Sequence, residues 1–381
     1  MNKGLKIVVA VVVIAIIIWA VASNKKASVM DIGPIKIGGA FLLTGSAAAL
    51  GEFQKSATQM AIDEVNAKGG INGRQVELVL QDTAYDPKKT IDAYQALKLD
   101  GVNYIIADGS PVVAAIRKLA VDDGKLIIAP GATTPAYFDG SNLSCRLALT
   151  AKNFGPGFAE LLKKKGYKSA VALLPNNEYG KGLGEELMRG FAAAGLKLAA
   201  IESYDAAATA GDYRTNVAKL KTKQAEADAL IVVQVANTVE TMLKQIKDLG
   251  WTKPILSDYY TVQNPALKNL ALAEGIDYID YEYSREASPT DSDVAKAFKA
   301  GYEAKTGMKP VLLGAGHYEA VKLIMEGIEK AGDNPQKVAD YISTLKDYKG
   351  VTGSLTFDSD CEVARNTVFR TVKGAKIVDL K

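Results

Sequence analysis

Short apolar segments of strand length alternate with segments of helical periodicity from residue 35 almost to the end of the chain. In the first half the strand candidates are IKIGGAFLL, QVELVLQD, NYIIAD, KLIIAP and CRLALT. After Thr150 the alternation starts again with SAVALLP, KLAAIESY, ADALIVVQV and PILSDYY. Strands alternating with helices indicate parallel, doubly wound sheets, and strands without polar alternation are typical of strands covered on both faces. The pattern therefore predicts an α/β fold with two doubly wound lobes on mainly parallel sheets.

The last hundred residues are less regular and supply the final elements of both lobes. GIDYIDYEYS is a strand candidate, three helices follow, and NTVFRTVKGAKIV is typical of a hairpin that turns at Lys373-Gly374. If each lobe takes elements from this region, the chain must cross between the lobes more than once, which gives a multi-strand hinge. We expect an N-terminal lobe of residues 35–150 plus 283–352 and a C-terminal lobe of residues 151–282 plus 353–381.

The N-terminus is a membrane-targeting segment. Ile7–Ala22 is an unbroken apolar run with lysines on both sides. As a helix its sixteen residues reach about 24 Å, which is short for a transmembrane helix but sufficient for a membrane anchor in a thin bilayer. Alternatively, residues 1–27 are a signal peptide, with Ala20-Val21-Ala22 as the cleavage site. Both alternatives predict an exported protein on the periplasmic or extracellular side of the cytoplasmic membrane, and the first predicts that it is membrane-anchored.

Composition and motifs exclude several function classes. Lysine and arginine number 46 against 43 acidic residues, so the net charge of +3 offers no extended field for nucleic acid. The single histidine, His317, has no nucleophile motif near it, and two isolated cysteines cannot form a thiolate zinc site. YGKGLGEE imitates a dinucleotide fingerprint but has Glu185 where the third glycine should stand. We predict no enzyme, no cofactor and no metal.

The two cysteines, Cys145 and Cys361, are far apart in the sequence. Export would place them in an oxidising compartment, where a disulfide between them can form. The alternative is a pair of small, unpaired hydrophobic side chains, and the sequence leaves both open.

Two predicted strand ends carry the signals of a helix N-terminus. In ADGSPVVAAI, Ser110 takes the N-cap position before a proline, and in APGATTPAYF, Thr134 does the same, with Gly131 and Thr133 just upstream. Helix N-termini present free N–H groups and the positive end of the helix dipole. Two of them at the carboxyl edge of one sheet predict a site for a small anion such as a carboxylate, with plain capping as the alternative.

Several segments together resemble one family. They are AAALGEFQKSATQMAIDEVNAKGGINGRQVELVLQDTAYDPKKTIDA, GVNYIIADGSPVVAA, APGATTPA and NEYGKGL. They resemble the type I periplasmic binding proteins, specifically the leucine/isoleucine/valine-binding family of ABC-transporter substrate-binding proteins, over nearly all of residues 35–381. The most specific part is NAKGGINGR followed by a strand and Asp-x-x-x-Asp-Pro. There, Asn72-Gly73 would turn the chain into the second strand, Asp82 would end that strand at the cleft, and Asp86 would cap the next helix.

The resemblance implies a ligand site between the lobes. By resemblance, Ser110, the Gly131 backbone and Thr133 would hold the α-carboxylate of the ligand. Tyr179, in NEYGKGL, would pack on the ligand from the other lobe, so the lobes must close for full contact.

The ammonium end of the ligand is where this chain departs from the family. The family's acidic residue follows the strand that here reads PILSDYY, which makes Asp258 the candidate, shifted by one residue. Tyr259 or Tyr260 stands where the family glutamate would fall. An aromatic face at that place suits a cation, but it suits an amide or an aromatic acid equally well.

The resemblance implies a monomeric, extracytoplasmic solute-binding protein without catalytic activity. It would capture a small amino-acid-like ligand, a branched-chain or other hydrophobic amino acid, and deliver it to an ABC permease in the membrane. The alternatives are a ligand-sensing or regulatory module of the same fold, and a binder of amides or aromatic acids.

Overall fold

The first lobe is built on a five-stranded sheet. The computed structural model describes residues 33–134, 140–207, 210–283, 285 and 291–380. The strands are β1 (Ile35–Phe41), β2 (Val76–Asp82), β3 (Tyr104–Ala107), β4 (Leu126–Ala129) and β5 (Ser144–Arg146). They lie in the order β2-β1-β3-β4-β5, and every pair is parallel. The central strands β3 and β4 are buried along their whole length, as expected for strands between two helical layers.

The second lobe is built on a seven-stranded sheet. Its strands, together with the small two-stranded sheet β11-β12, are β6 (Ser169–Pro175), β7 (Lys197–Tyr204), β8 (Ala229–Val232), β9 (Ile255–Asp258), β10 (Asp277–Tyr281), β11 (Tyr348–Gly350), β12 (Gly353–Leu355), β13 (Thr367–Lys373) and β14 (Lys376–Asp379). The order in the large sheet is β14-β13-β10-β9-β8-β6-β7. The five strands from β6 to β10 pair in parallel, whereas β13 and β14 are antiparallel additions at one edge.

Helices cover both sheets. They are α1 (Ala48–Asn66), α2 (Pro87–Leu99), α3 (Ser110–Asp122), α4 (Ala151–Lys164), α5 (Glu178–Ala194), α6 (Arg214–Lys221), α7 (Val239–Asp248), α8 (Tyr259–Val262), α9 (Asp293–Thr306), α10 (Leu312–Ala331) and α11 (Pro335–Thr344). The predicted α/β fold, with two lobes on mainly parallel sheets, is confirmed.

The chain passes between the two sheets more than once. After β10 it returns to the first lobe, where α10 packs along α1 and α11 packs against β4. It then re-enters the second sheet as β13 and β14. We propose the lobe limits that the sequence suggested, residues 35–150 plus 283–352 and residues 151–282 plus 353–381, because these passages fall close to them.

The turn before β2 follows from its sequence. Asn72 and Gly73 both adopt positive φ angles, 52° and 81°, which asparagine and glycine tolerate best. Asp82 is the last residue of β2, and Asp86 caps α2 by accepting a hydrogen bond from the Lys89 backbone N–H at 2.9 Å. The turn, the end of the strand and the helix cap are therefore where the sequence predicts them.

The C-terminal hairpin is confirmed, although its turn lies one residue later than expected. Lys373 is the last residue of β13 and pairs with Lys376 of β14. Gly374 and Ala375 form the turn, with φ angles of 59° and 54°. Their backbone N–H groups donate to the Glu274 carboxylate at 2.8 and 3.0 Å, which fixes the turn against the second lobe.

A disulfide joins Cys145 and Cys361, whose Cα atoms lie 4.6 Å apart. Cys145 belongs to β5, and Cys361 lies in the connection between β12 and β13. Beside the disulfide, the Arg146 backbone N–H donates to the Cys361 carbonyl oxygen at 3.0 Å. Of the two alternatives that the sequence left open, the bridge is the one that the structure contains, and it fixes the last connection between the lobes to the edge of the first sheet.

Candidate functional site

A cavity lies between the lobes at the carboxyl ends of the strands of both sheets. The space among its lining residues is about 310 Å³, including its opening to solvent. The first lobe contributes Leu42, Leu50, Tyr85, Asp108, Gly109, Ser110, Gly131 and Leu313, and the second contributes Tyr179, Val235 and Tyr260. This is the edge at which open α/β sheets bind their ligands.

A larger opening lies elsewhere, beside β13 and β14. Measured in the same way, it has about 2070 Å³, and it is lined by Lys164, Glu282 and Asp291 among others. Part of its lining comes from β13 and β14, the antiparallel strands at the edge of the second sheet. Ligands of α/β sheets bind at the carboxyl ends of the parallel strands, so the cavity between the lobes is the better candidate site.

Hydrogen bonds between the lobes close the cavity. The Tyr260 hydroxyl donates to the Gly131 carbonyl oxygen across the cleft. The Asn237 backbone N–H donates to the Ser46 carbonyl oxygen at 2.6 Å, and the Asn237 side-chain oxygen accepts from the Ala49 backbone N–H at 3.0 Å. The structure thus shows the two lobes in contact around the site.

Ser110 lines the cavity, but not as the helix cap that its sequence suggests. Helix α3 begins at Ser110, and the N-cap is Gly109, with a φ angle of 88°. The N-cap prediction is therefore wrong by one residue, because the chain uses glycine for the left-handed conformation that precedes the helix. The Ser110 hydroxyl oxygen instead accepts from the Thr133 and Thr134 backbone N–H groups at 3.2 and 3.3 Å. The second predicted helix start, at Pro135, lies outside the described residues.

Thr133 lies behind Ser110 and not among the residues that line the cavity. Its carbonyl oxygen accepts from the Ala151 backbone N–H at 2.7 Å and from Arg146 at 3.2 Å. Its buried hydroxyl oxygen has no hydrogen-bond partner among the described residues. In this arrangement Thr133 supports the loop and reaches the cavity through Ser110.

Asp108 is a charged residue of the cavity wall that the sequence alone does not identify. Its side chain is buried, with 2% of the residue exposed. Its carboxylate accepts from the Gly109 backbone N–H at 2.8 Å and from the Gln54 side-chain amide at 3.1 Å, and the Gly131 backbone N–H lies close to it. Burial raises the pKa of Asp108 to about 7. The Gly131 N–H that the resemblance assigns to a ligand carboxylate therefore lies beside a carboxylate of the protein itself.

His317, the single histidine of the chain, lies beside Asp108. Its Nδ1 lies 2.7 Å from the Leu313 carbonyl oxygen, so that nitrogen carries the proton. Its Nε2 lies 4.0 Å from the Asp108 carboxylate, without a hydrogen-bond partner among the described residues. Burial lowers the pKa of His317 to about 4, so the imidazole is neutral and supplies no counter-charge to Asp108 at neutral pH.

Tyr179 and Asp258 form a buried pair in the second lobe. The Tyr179 hydroxyl donates to one Asp258 carboxylate oxygen. The other oxygen caps α8 by accepting from the Thr261 backbone N–H at 3.2 Å and from the Thr261 hydroxyl at 3.1 Å. Burial raises the pKa of Asp258 to about 6. Tyr179 lines the cavity and Asp258 does not, so Asp258 is connected to the cavity through the Tyr179 hydroxyl.

Of the two neighbouring tyrosines, Tyr260 faces the cavity. Its ring meets Tyr179 edge-on, with centroids 5.6 Å apart. Tyr259 packs between Phe154 and Tyr281, with ring centroids 6.4 and 4.9 Å away. It reaches only a small recess beside the cavity. The structure thus brings Ser110, Gly131, Tyr179 and Tyr260 together and leaves Tyr259 outside this group.

Tyr85 is a second cavity residue that the sequence analysis did not identify. It follows β2 and has a φ angle of 61°, which is unusual for a residue other than glycine. A Cβ atom on Gly109 would lie 2.7 Å from the Tyr85 ring, so the ring packs directly on that loop. The Tyr85 hydroxyl accepts from the Asn177 side chain at 3.3 Å across the cleft. Strained backbone of this kind is concentrated at ligand sites.

This geometry, two lobes closed over a small cavity, defines a binding protein for a small solute, and the comparisons agree. The family model described as "Periplasmic binding protein" matches residues 34–376. The leucine-, isoleucine-, valine-, threonine- and alanine-binding protein of Pseudomonas aeruginosa is 29% identical over 355 residues, covering 91% of this chain and 92% of the relative. The chain belongs to this family of periplasmic binding proteins, as the resemblance predicted.

Solved structures give the same result. The branched-chain amino acid transporter substrate-binding protein LivJ from Streptococcus pneumoniae, solved with isoleucine, has a TM-score of 0.77 and 27% identity, covering 90% of this chain and 97% of that one. A solute-binding protein of an ABC transporter from R. palustris, solved with benzoate, has a TM-score of 0.80 at 18% identity, covering 91% and 96%. At that identity the second comparison shows the fold alone. The chain is a solute-binding protein of the ABC-transporter type.

Family membership implies export to the periplasm. Among the described residues, no helix is both long enough and apolar enough to cross a bilayer. The expected signal peptide or anchor, residues 1–27, lies outside the described residues.

Proposed function

We propose that this protein captures one amino-acid-sized solute between its lobes and delivers it to an ABC permease. The observation that carries the proposal is the cavity between two lobes that bond to each other around it. A solute that contacts both lobes stabilises the closed form by the contacts that exist only there. The permease would then recognise the closed shape.

The walls of the cavity favour a solute with an apolar body. Leu42, Leu50, Val235 and Leu313 line it, together with tyrosine rings. Burial of apolar surface contributes about 25 cal/mol per Å², so a short aliphatic or aromatic group suits this site. The relatives named for leucine, isoleucine and valine support the same solute size.

The proposed contacts differ in part from those that the resemblance implies. We propose Ser110, Gly131, Tyr179 and Tyr260 as ligand contacts, with Thr133, Asp258 and Tyr259 as residues that hold them in place. Asp108 and Tyr85 join the contacts because they line the cavity.

Thermal unfolding with and without candidate solutes tests the proposal. The full chain, purified in mild detergent, would be melted with each of the twenty amino acids, with small amides and with aromatic acids at millimolar concentration. A solute at a hundred times its dissociation constant adds about 2.7 kcal/mol to the free energy of unfolding, which raises the midpoint by several degrees. A panel without any shift would contradict solute capture.

A further inference from the structure

The carboxylate of Asp108 has acceptor capacity left for a ligand. An ionised carboxylate offers about four acceptor positions. The Gly109 backbone N–H and the side-chain amide of Gln54 occupy two of them, and the Gly131 backbone N–H lies close to the same carboxylate. Because Asp108 lines the cavity, a remaining position is available to a hydrogen-bond donor in the cleft.

The neighbouring Ser110 hydroxyl offers a hydrogen-bond donor to the cleft. A serine hydroxyl has two acceptor lone pairs and one hydrogen. The backbone N–H groups of Thr133 and Thr134 use both lone pairs, at 3.2 and 3.3 Å. The hydroxyl hydrogen has no acceptor among the described residues, and Ser110 also lines the cavity. The first lobe therefore presents a donor and an acceptor two residues apart on one loop.

The charge of this wall disfavours an anionic head group. No lysine or arginine is among the described residues that line the cavity. The nearest ring nitrogen of His317 is 4.0 Å from Asp108 and belongs to a neutral imidazole. When Asp108 is ionised, a ligand carboxylate here would lie beside a second buried negative charge without a counter-charge, which is unfavourable for both groups.

We propose that the head group of the captured solute is a carboxamide, whose carbonyl oxygen accepts from Ser110 and whose N–H donates to Asp108. A carboxylate matches only the first of these two partners. This inference rests on the proposed function, since it names the solute class of the same cleft. It assigns the first-lobe wall to an uncharged amide where the family resemblance implies an α-carboxylate.

Matched pairs of solutes test the assignment. The full chain would be titrated calorimetrically with isovaleramide and isovalerate, with benzamide and benzoate, and with L-leucinamide and L-leucine. We expect the amide of at least one pair to bind at least tenfold more tightly than its acid. Tighter binding of the acid in the pairs that bind would overturn the carboxamide assignment and leave solute capture intact. If none of the six solutes and none of the twenty amino acids binds, both the carboxamide assignment and solute capture would be overturned.

A variant separates the role of the charge from the role of the fold. Asp108→Asn keeps the shape but loses the carboxylate, so the ratio of amide to acid affinity should fall at least tenfold. Asp122→Asn is the control, because Asp122 is exposed at the far end of α3 and bonds to Lys118. An unchanged ratio in Asp108→Asn would contradict the assignment. If Asp108→Asn fails to fold, the ratio of amide to acid affinity measured on the wild type still tests the carboxamide assignment.

Discussion

Asp108 is the residue on which the chemistry of the cleft depends most. It lies directly after β3, is buried, and accepts hydrogen bonds from the Gly109 backbone N–H and from Gln54. A buried carboxylate costs stability when it is ionised, even with these hydrogen bonds. Such a residue is better explained by ligand recognition than by folding.

The titration of Asp108 should be visible in stability. Its pKa is raised by burial to about 7, above the value of about 3.9 for an unfolded chain. The native state therefore holds a proton that the unfolded state lacks, and this contribution is complete below pH 4 and lost as the pH rises through 7. We expect Asp108→Asn to become more stable relative to the wild type between pH 5 and pH 8, by about 1.4 kcal/mol per pH unit at most.

Urea unfolding of both proteins across that pH range measures the effect. Taking the difference cancels the other raised carboxyl groups, such as Asp258 and Asp280. The neighbouring His317 stays neutral in the native state over this range, because burial lowers its pKa to about 4, and its titration in the unfolded chain is common to both proteins. A difference that stays flat with pH would show that Asp108 is ionised throughout.

A substitution at Gly131 tests how closely the two lobes approach each other in the closed form. A Cβ atom there would lie 2.5 Å from the Asp108 carboxylate and 2.6 Å from the Tyr260 hydroxyl. Gly131→Ala should therefore prevent full closure and weaken binding of the solute found in the thermal panel by at least tenfold. Gly184→Ala is the control, since its Cβ would make only ordinary contacts at 3.5 Å and beyond. Equal affinities of the two variants by calorimetry would contradict a closed site at Gly131.

At the residue scale, the sequence predicts part of the proposed site. Capping signals and the family resemblance point to Ser110, Gly131 and Tyr179, and these residues line the cavity. Asp108 was missed because a strand-end aspartate reads as an ordinary capping residue. Tyr85 is not predicted because its ring reaches the cavity by packing on Gly109, a contact that the local sequence does not encode.

Among the secondary-structure elements, the disulfide is the constraint to test. It joins β5 to the segment before β13 and closes a loop across 216 residues of sequence. Removing it with Cys145→Ser and Cys361→Ser should lower the free energy of unfolding by about 2 to 5 kcal/mol. Denaturant unfolding of this double variant, beside the wild type with and without reductant, checks the expectation. Equal stability of all three would show that the bridge does not constrain the chain.

The elements themselves were largely predictable, whereas their assignment to a lobe was not. Apolar strands between helical segments are a strong local signal, and β1 to β10 appear where the pattern places them. The packing of α9 and α10 on α1 depends on distant pairs, such as Phe53 with Tyr302 at a centroid distance of 6.2 Å. Tyr318 likewise donates to Glu64 of α1. No local pattern reports contacts of that separation.

In the molecule as a whole, Asn237 of the second lobe forms hydrogen bonds to the first lobe. Its side chain accepts from the Ala49 backbone N–H at 3.0 Å, 188 positions away in the sequence. Asn237→Ala should remove about 1 kcal/mol from the closed form, which corresponds to roughly fivefold faster solute release. Asn216→Ala is the control, because Asn216 bonds to Ser203 within the second lobe. Stopped-flow dissociation rates that are equal in both variants would contradict this role.

Small-angle X-ray scattering tests most directly that the lobes close on a ligand. The full chain in matched detergent would be measured with and without the solute that raises the melting midpoint. Two lobes that close around a solute should give a smaller radius of gyration when it is bound, since ligand contacts to both lobes favour the closed form. The same radius in both samples, at a concentration that saturates binding, would contradict capture by closure.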